Sequence, residues 1–144
     1  MLRKIFGVIG GYVAMVLVVM TIFTLSFLAM GTEGAFKPGS FEPSGVWIAV
    51  TFVLSFAAAV LGGWICVLIA RSFKTALVFA GIVVVLGMLL AIPVLTADPP
   101  TEARTGELSN LEAMQKGHQP GWVALLNPLV GAFGIIAGAR LKSR

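Results

Sequence analysis

Four long apolar segments, separated by short stretches that hold the charged residues, make up most of this chain. The segments 5–30, 46–70, 75–95 and 122–139 contain no charged side chain, and the shortest has 18 residues. A helix rises about 1.5 Å per residue, so even that segment would be about 27 Å long. This length is close to the ~30 Å hydrocarbon core of a bilayer. The pattern therefore predicts an all-α fold, a four-helix transmembrane bundle.

The composition supports the same class. The chain is 58% hydrophobic and 11% charged, whereas soluble domains are about a quarter charged. The first segment, at 26 residues, is too long for the apolar part of a secretory signal, which runs about 7 to 15 residues. We therefore expect one integral membrane domain over residues 1–144 whose first segment is a span.

The charged residues predict an orientation. The chain has a net charge of +4, and seven cations without any acid flank one set of segment ends. These cations are Arg3, Lys4, Arg71, Lys74, Arg140, Lys142 and Arg144. The other set of ends receives Lys37, Arg104 and Lys116 together with all six acidic residues. By the positive-inside rule both termini are cytoplasmic, and 31–45 and 96–121 are extracytoplasmic loops.

This distribution also predicts a localisation and a partner. The expected location is the cell inner (cytoplasmic) membrane, crossed several times. A basic cytoplasmic side attracts anionic lipid headgroups, at about 1 kcal/mol per nearby cation. The cations are spread over helix ends and not gathered into one patch, so nucleic acid is not an expected partner.

The loops give more local predictions. The connection 71–74 is so short that spans two and three should be antiparallel neighbours. In the first outer loop Phe36, Phe41 and Trp47 fit an interfacial aromatic belt. In the second, the S-x-x-E spacing of a capping box predicts a surface helix over 110–116.

Small residues recur at helix-packing spacings. Gly7 and Gly11, and again Gly134 and Gly138, have the GxxxG spacing that allows close backbone approach in lipid. Span two carries the densest set of such residues. The predicted helix-packing residues are Gly7, Gly10, Gly11, Gly62, Gly63, Ala80, Gly81, Gly134 and Gly138. Nearly all fall in the cytoplasmic half.

The polar residues of the spans fall in the opposite half. If they face inward, the bundle is tight on the cytoplasmic side and opens outward into a polar vestibule. Its candidate lining residues are Thr21, Thr24, Thr51, Ser55 and Asn127. The alternative, which the residues alone favour, is that each hydroxyl bonds the carbonyl four residues earlier in its own helix.

The sequence contains few residues that could support catalysis or bind a metal. No span contains Asp, Glu, His, Lys or Arg, the residues on which intramembrane catalysis, proton coupling and ion transport usually depend. His118 lies in a loop, and Met114 with His118 would be an incomplete copper site. We therefore predict no catalytic residue, no metal and no cofactor, and a protein that is not an enzyme.

Three stretches carry a resemblance to a class of known proteins: MLRKIFGVIGGYV, AIPVLTADPPTEARTG and NLEAMQKGHQPGWVALLNPLVGAFGIIAGARL. They resemble small, uncharacterised four-span bacterial integral membrane proteins. The resemblance implies the four-span fold and a bacterial inner membrane, and it implies no activity.

Two functional hypotheses follow. The preferred one is a structural or accessory subunit whose glycine faces pack helices together and whose second outer loop contacts a membrane-protein partner or another copy of the chain. The alternative is an outward-facing binder or transporter of a small neutral or lipid-like solute, held by the vestibule residues.

Overall fold

Four long helices account for nearly all of the described structure. The computed structural model describes residues 1–98, 112 and 116–143. Its helices are α1 Leu2–Ala35, α2 Gly45–Ala70, α3 Phe73–Thr96 and α4 Gly121–Ser143. Each is long and apolar enough to cross a membrane, which confirms the predicted all-α fold with four helices of that length.

Each helix contains one predicted apolar segment and extends beyond it at one or both ends. Helical hydrogen bonding continues through charged residues such as Arg3 and Lys142. These residues are good helix formers, and their long side chains can place the charged group in water. The predicted surface helix over 110–116 lies outside the described residues, apart from Glu112 and Lys116, which are both helical.

The two ends of the bundle differ in charge. We call the end with Met1, the Arg71–Ser72 connection and Ser143 the termini end, and the end with residues 36–44 and 117–120 the loop end. The described cations of the termini end are Arg3, Lys4, Arg71, Lys74, Arg140 and Lys142. The described acids, Glu33, Glu42, Asp98 and Glu112, all belong to the loop end.

The helices pack in the order α1, α2, α4, α3. Extensive contacts join α1 to α2, α2 to α4 and α4 to α3, whereas α2 with α3 and α1 with α3 touch only briefly. Spans two and three, predicted as antiparallel neighbours, do contact each other, but α4 packs against both more extensively than they pack on one another. The small-residue face of α2 meets α4 instead, because α4 also presents glycine and the two backbones can approach closely.

The first loop is an ordered turn that joins α1 to α2. Gly31 leaves the helical conformation at φ 67°, ψ 177°, a combination that is essentially restricted to glycine. Ser44 then holds both helices, because its Oγ donates to the Gly34 carbonyl at 2.6 Å and accepts from the Trp47 N–H at 3.1 Å. The second bond caps the N-terminus of α2.

The aromatic residues of this region do not form the predicted belt. Phe36 and Phe41 are 5% and 4% exposed, and they pack with each other in an edge-to-face geometry at 6.3 Å between ring centroids. Phe27 packs edge-to-face on both Phe36 and Trp47, at 6.1 and 5.7 Å. We call Phe23, Phe27, Phe36, Phe41 and Trp47 the aromatic cluster. It folds the first loop down onto the ends of α1 and α2.

A candidate binding cavity at the loop end

Glycines bring the helix backbones together in the half of the bundle nearer the termini end. A Cβ at Gly63 would overlap the backbone of Ile135, and one at Gly138 would overlap the carbonyl of Val60. Between α1 and α2, a Cβ at Gly11 would lie 2.6 Å from the Gly62 carbonyl oxygen. Only glycine permits these contacts.

The other predicted helix-packing residues divide into two groups. A Cβ at Gly7 would lie 2.7 Å from the Ala70 Cβ, and one at Gly134 would lie 2.6 Å from the Ala59 Cβ. Gly10 approaches only the flexible end of Ile69, and Ala80 is buried. The prediction of helix packing was wrong for Gly81. This residue is exposed, and a Cβ there would meet no neighbouring atom within 4 Å.

The loop end contains a cavity of about 340 Å³, which we call the loop-end cavity. This size is at the lower limit of small-molecule sites, about 300 to 1,000 Å³. α1, α2, α4 and both loops contribute to its wall. The lining residues are Val19, Phe23, Phe27, Phe36, Pro43, Trp47, Ile48, Thr51, Ser55, Gly117, His118, Gln119, Pro120, Val123 and Asn127.

Three of the five predicted vestibule residues meet at this cavity. Thr51 and Ser55 are one turn apart on α2, and Asn127 faces them from α4. Thr21 and Thr24 are exposed and belong to neither this cavity nor the one described below. Their hydroxyls donate to the carbonyls of Leu17 and Met20 at 2.8 and 2.7 Å, as the alternative interpretation described.

Asn127 has a buried side-chain oxygen, Oδ1, without a hydrogen-bond donor among the described residues. A buried acceptor without a partner costs about 1 to 3 kcal/mol. Asn127 lines the loop-end cavity, so a rotation of its amide would turn Oδ1 toward a donor there, which would remove that cost.

A second cavity, of about 300 Å³, adjoins the first. We call it the lateral cleft. It lies between α1 and α3 and is floored by α4, with Met15, Val83, Leu90, Val94 and Pro128 among its lining residues. Val19, Ser55, Gln119 and Asn127 line both cavities, so Asn127 stands where the two meet.

α3 and α4 are in close contact at the floor of the cleft. A Cβ at Gly87 would overlap the ring of Pro128, so the proline presses against a glycine of the neighbouring helix. Pro128 has no N–H to donate to the carbonyl four residues earlier. α4 thus passes along the floor of the cleft with a locally interrupted hydrogen-bond ladder.

The electrostatics of the loop-end cavity are nearly neutral. Its described lining contains no Asp, Glu, Lys or Arg, and His118 is the one titratable side chain among them. The backbone N–H of His118 donates to the Phe41 carbonyl at 3.2 Å, and the Lys116 ammonium lies 5.9 Å from the centroid of the Phe41 ring. These contacts fasten the end of the second loop over the first.

An ion pair of the first loop lies on the outer surface. Lys37 and Glu42 are 2.7 Å apart and more than half exposed. The hydrogen bond and charge of Lys37 lower the pKa of the Glu42 carboxyl below its ordinary value. The pair joins the two arms of the turn over residues 37–42 and does not reach the cavity.

Sequence reasoning missed the aromatic and loop residues of the site. Phe27, Trp47, His118, Gln119 and Val123 all line the cavity, although they are far apart in the chain. The available signal was the concentration of aromatic residues at the outer ends of the first two spans, which membrane-interface statistics explain equally well.

The termini end has a separate groove. Arg71 and Lys142 line it together with Ser72, Phe73 and Ser143, and its volume is about 400 Å³. The Lys142 ammonium also lies 5.7 Å from the centroid of the Trp64 ring. The groove is basic and opens at the end of the helices, at the level where lipid headgroups would lie if the helices cross a bilayer.

Residues 1–98, 112 and 116–143 contain no group of three or more His, Cys, Asp or Glu side chains that could hold a metal ion. The chain matches no family model, no curated protein and no solved structure in comparisons with each. The resemblance to small four-span bacterial membrane proteins therefore stays a prediction. The geometry of the loop-end cavity carries the functional argument.

Proposed function

We propose that this protein is an inner-membrane protein that binds a small, neutral solute in the loop-end cavity, from the extracytoplasmic side. The proposal rests on one observation above all. Asn127 lines a cavity of about 340 Å³, and its buried Oδ1 has no donor from the described residues. A solute with a hydroxyl or amide N–H would supply that donor.

The chemistry of the walls supports a neutral solute. A charged group moved into a water-poor site costs several kcal/mol unless an opposite charge meets it. The described lining offers no carboxylate, ammonium or guanidinium. It offers aromatic faces, two hydroxyls and two carboxamides, which suit an apolar body with a few hydrogen-bonding groups.

The proposed orientation rests on charge. Six described cations and no described acid occupy the termini end, and the positive-inside rule assigns such an end to the cytoplasm. The loop-end cavity then opens outward. The groove between Arg71 and Lys142 would hold an anionic lipid headgroup.

The helix contacts do not single out the accessory-subunit hypothesis, in which glycine faces pack helices together and the second outer loop contacts a partner. Gly11, Gly62, Gly63, Gly134 and Gly138 all make their close contacts within the chain. A partner would have to bind elsewhere, such as the second outer loop.

Cysteine labelling tests the proposal. In intact cells, a small, membrane-impermeant, polar methanethiosulfonate reagent is added from outside to Thr51→Cys and to the matched control Thr24→Cys. The wild-type chain supplies the background, because its Cys66 is fully buried. Lys37→Cys and Ser72→Cys report the outer and inner surfaces.

We expect labelling at Lys37→Cys and Thr51→Cys and none at Thr24→Cys or Ser72→Cys. Thr51 lines the cavity, whereas Thr24 is exposed on the lateral surface of α1, outside the cavity. If Thr51→Cys stays unlabelled while Lys37→Cys reacts, the cavity is closed to the outside and the proposed function is wrong. Labelling of Ser72→Cys in place of Lys37→Cys would reverse the orientation.

A further inference from the structure

We infer that the solute is a neutral, single-chain amphiphile, whose head occupies the loop-end cavity and whose tail lies in the lateral cleft between α1 and α3. This inference rests on the proposed function and specifies its ligand class. It also gives the ligand a sideways path from the bilayer to the site.

The bundle is open between α1 and α3 at one end only. α1 and α3 meet near the termini end, where a Cβ at Gly11 would lie 3.2 Å from Phe79 Cε1. Toward the loop end the lateral cleft separates them. Leu90, which lines the cleft, is 72% exposed, so the cleft opens on the outer surface of the bundle.

Polar and apolar residues are separated within the cleft itself. The side of the cleft formed by α3 is apolar, with Val83, Leu90, Ala91 and Val94. It extends from residue 83 to residue 94, or about 16 Å along a helix. The hydroxyls and carboxamides lie at the inner end, where the cleft meets the loop-end cavity. Such a sequence of apolar and polar walls matches a tail and a head.

A single-chain amphiphile fits this site better than a transmembrane helix of a partner does. The backbone N–H groups of a helix in lipid are already bonded within that helix, so a helix could offer Asn127 Oδ1 only a side-chain donor. A hydroxyl-bearing headgroup supplies the donor directly. Both loops also contribute to the wall of the loop-end cavity beside this junction, Phe36 and Pro43 from the first loop and residues 117–120 from the second.

The test uses the full-length Thr51→Cys protein in phosphatidylcholine nanodiscs and measures its rate of thiol labelling. The probes are monooleoylglycerol, glycerol as the head alone, and methyl oleate as the chain without a hydroxyl donor. Occupancy at ten times Kd leaves about one site in eleven free. We expect monooleoylglycerol to slow labelling about tenfold at that concentration, and glycerol to have no effect.

Methyl oleate should bind about tenfold more weakly than monooleoylglycerol, the loss expected for one well-made hydrogen bond. A second variant tests the path of the tail. Val94→Trp fills the cleft and should abolish protection by monooleoylglycerol, whereas Ile92→Trp, on the exposed face of the same helix, should retain it. Elution volume and melting temperature verify that both variants are folded.

Several results would overturn the amphiphile while leaving the proposed function intact. One is protection by glycerol equal to that by monooleoylglycerol. Another is protection by monooleoylglycerol that is as strong with Val94→Trp as without it. The third is no protection by any probe in a protein whose Thr51→Cys still reacts. A change in oligomeric state in Val94→Trp, without any effect of monooleoylglycerol, would assign the cleft to a second copy of the chain instead. Loss of Thr51→Cys reactivity in the ligand-free protein is a failure of the proposed function itself.

Discussion

The termini end and the loop end are built from the same four helices, yet their helix contacts have opposite character. At the termini end, glycine faces bring α2 into backbone contact with α1 and α4, and Phe79 and Ile135 fill the remaining core. At the loop end, aromatic rings, a proline and a carboxamide line two cavities between the helices. The comparison shows that a bundle whose described core holds no charged residue can be closely packed in one half and contain cavities in the other.

The largest effect is expected from a methyl group at the tightest contact. Gly63→Ala should lower the free energy of unfolding by about 2 to 3 kcal/mol, the upper part of the range for overpacking, because the new Cβ overlaps the Ile135 backbone. Thermal or denaturant unfolding in detergent measures the change.

Gly81→Ala is the matched control for this change. No atom lies near its new Cβ, so the helix should become more stable by about 0.5 to 1 kcal/mol. Equal losses in both variants would show that the contact between α2 and α4 is not the tight one.

A smaller effect of opposite sign is expected at the loop end. Asn127→Leu removes the unpaired Oδ1 while keeping a side chain of similar shape, so the ligand-free protein should gain about 1 kcal/mol in unfolding free energy. The same variant should lose the protection of Thr51→Cys by monooleoylglycerol. A loss of stability of about 1 kcal/mol or more would mean that this amide is already satisfied in the ligand-free protein.

The smallest effect concerns the exposed Lys37–Glu42 pair. Because Lys37 lowers the folded-state pKa of Glu42, the pair stabilises the loop above the ordinary pKa of the carboxyl, and this stabilisation disappears as the pH falls through the lowered value. Lys37→Met should therefore lower the melting temperature slightly at pH 7 and not at all in strong acid. Exposed pairs contribute little, so a drop that persists unchanged in acid would have to come from another contact.

Much of the fold was predictable because a bilayer imposes length and composition on each span. The uncharged runs located all four helices. The GxxxG spacings identified Gly7 with Gly11 and Gly134 with Gly138 as contact residues, since close approach in lipid requires small side chains.

The sequence did not predict which side of each helix faces the interior of the bundle. Ala80 and Gly81 are adjacent and point about 100° apart on a helix, so only one of them can face a given neighbour; Ala80 is buried and Gly81 is exposed. In a soluble protein a polar face would reveal the rotation. Here lipid and core are equally apolar, so the pattern carries no such information. The same ambiguity concealed that Thr51 and Ser55 face the cavity while Thr21 and Thr24 do not.

The sequence by itself determined the number, length and class of the helices, the separation of charge between the two ends, and the half of the bundle where backbones come close. Those features follow from single segments and their neighbours in the chain. The tertiary structure decided that α4 packs against α2 and α3, that the first loop folds onto the helix ends, and that Asn127 lies between two cavities. These depend on the rotation and order of helices, which arise only when all four pack together.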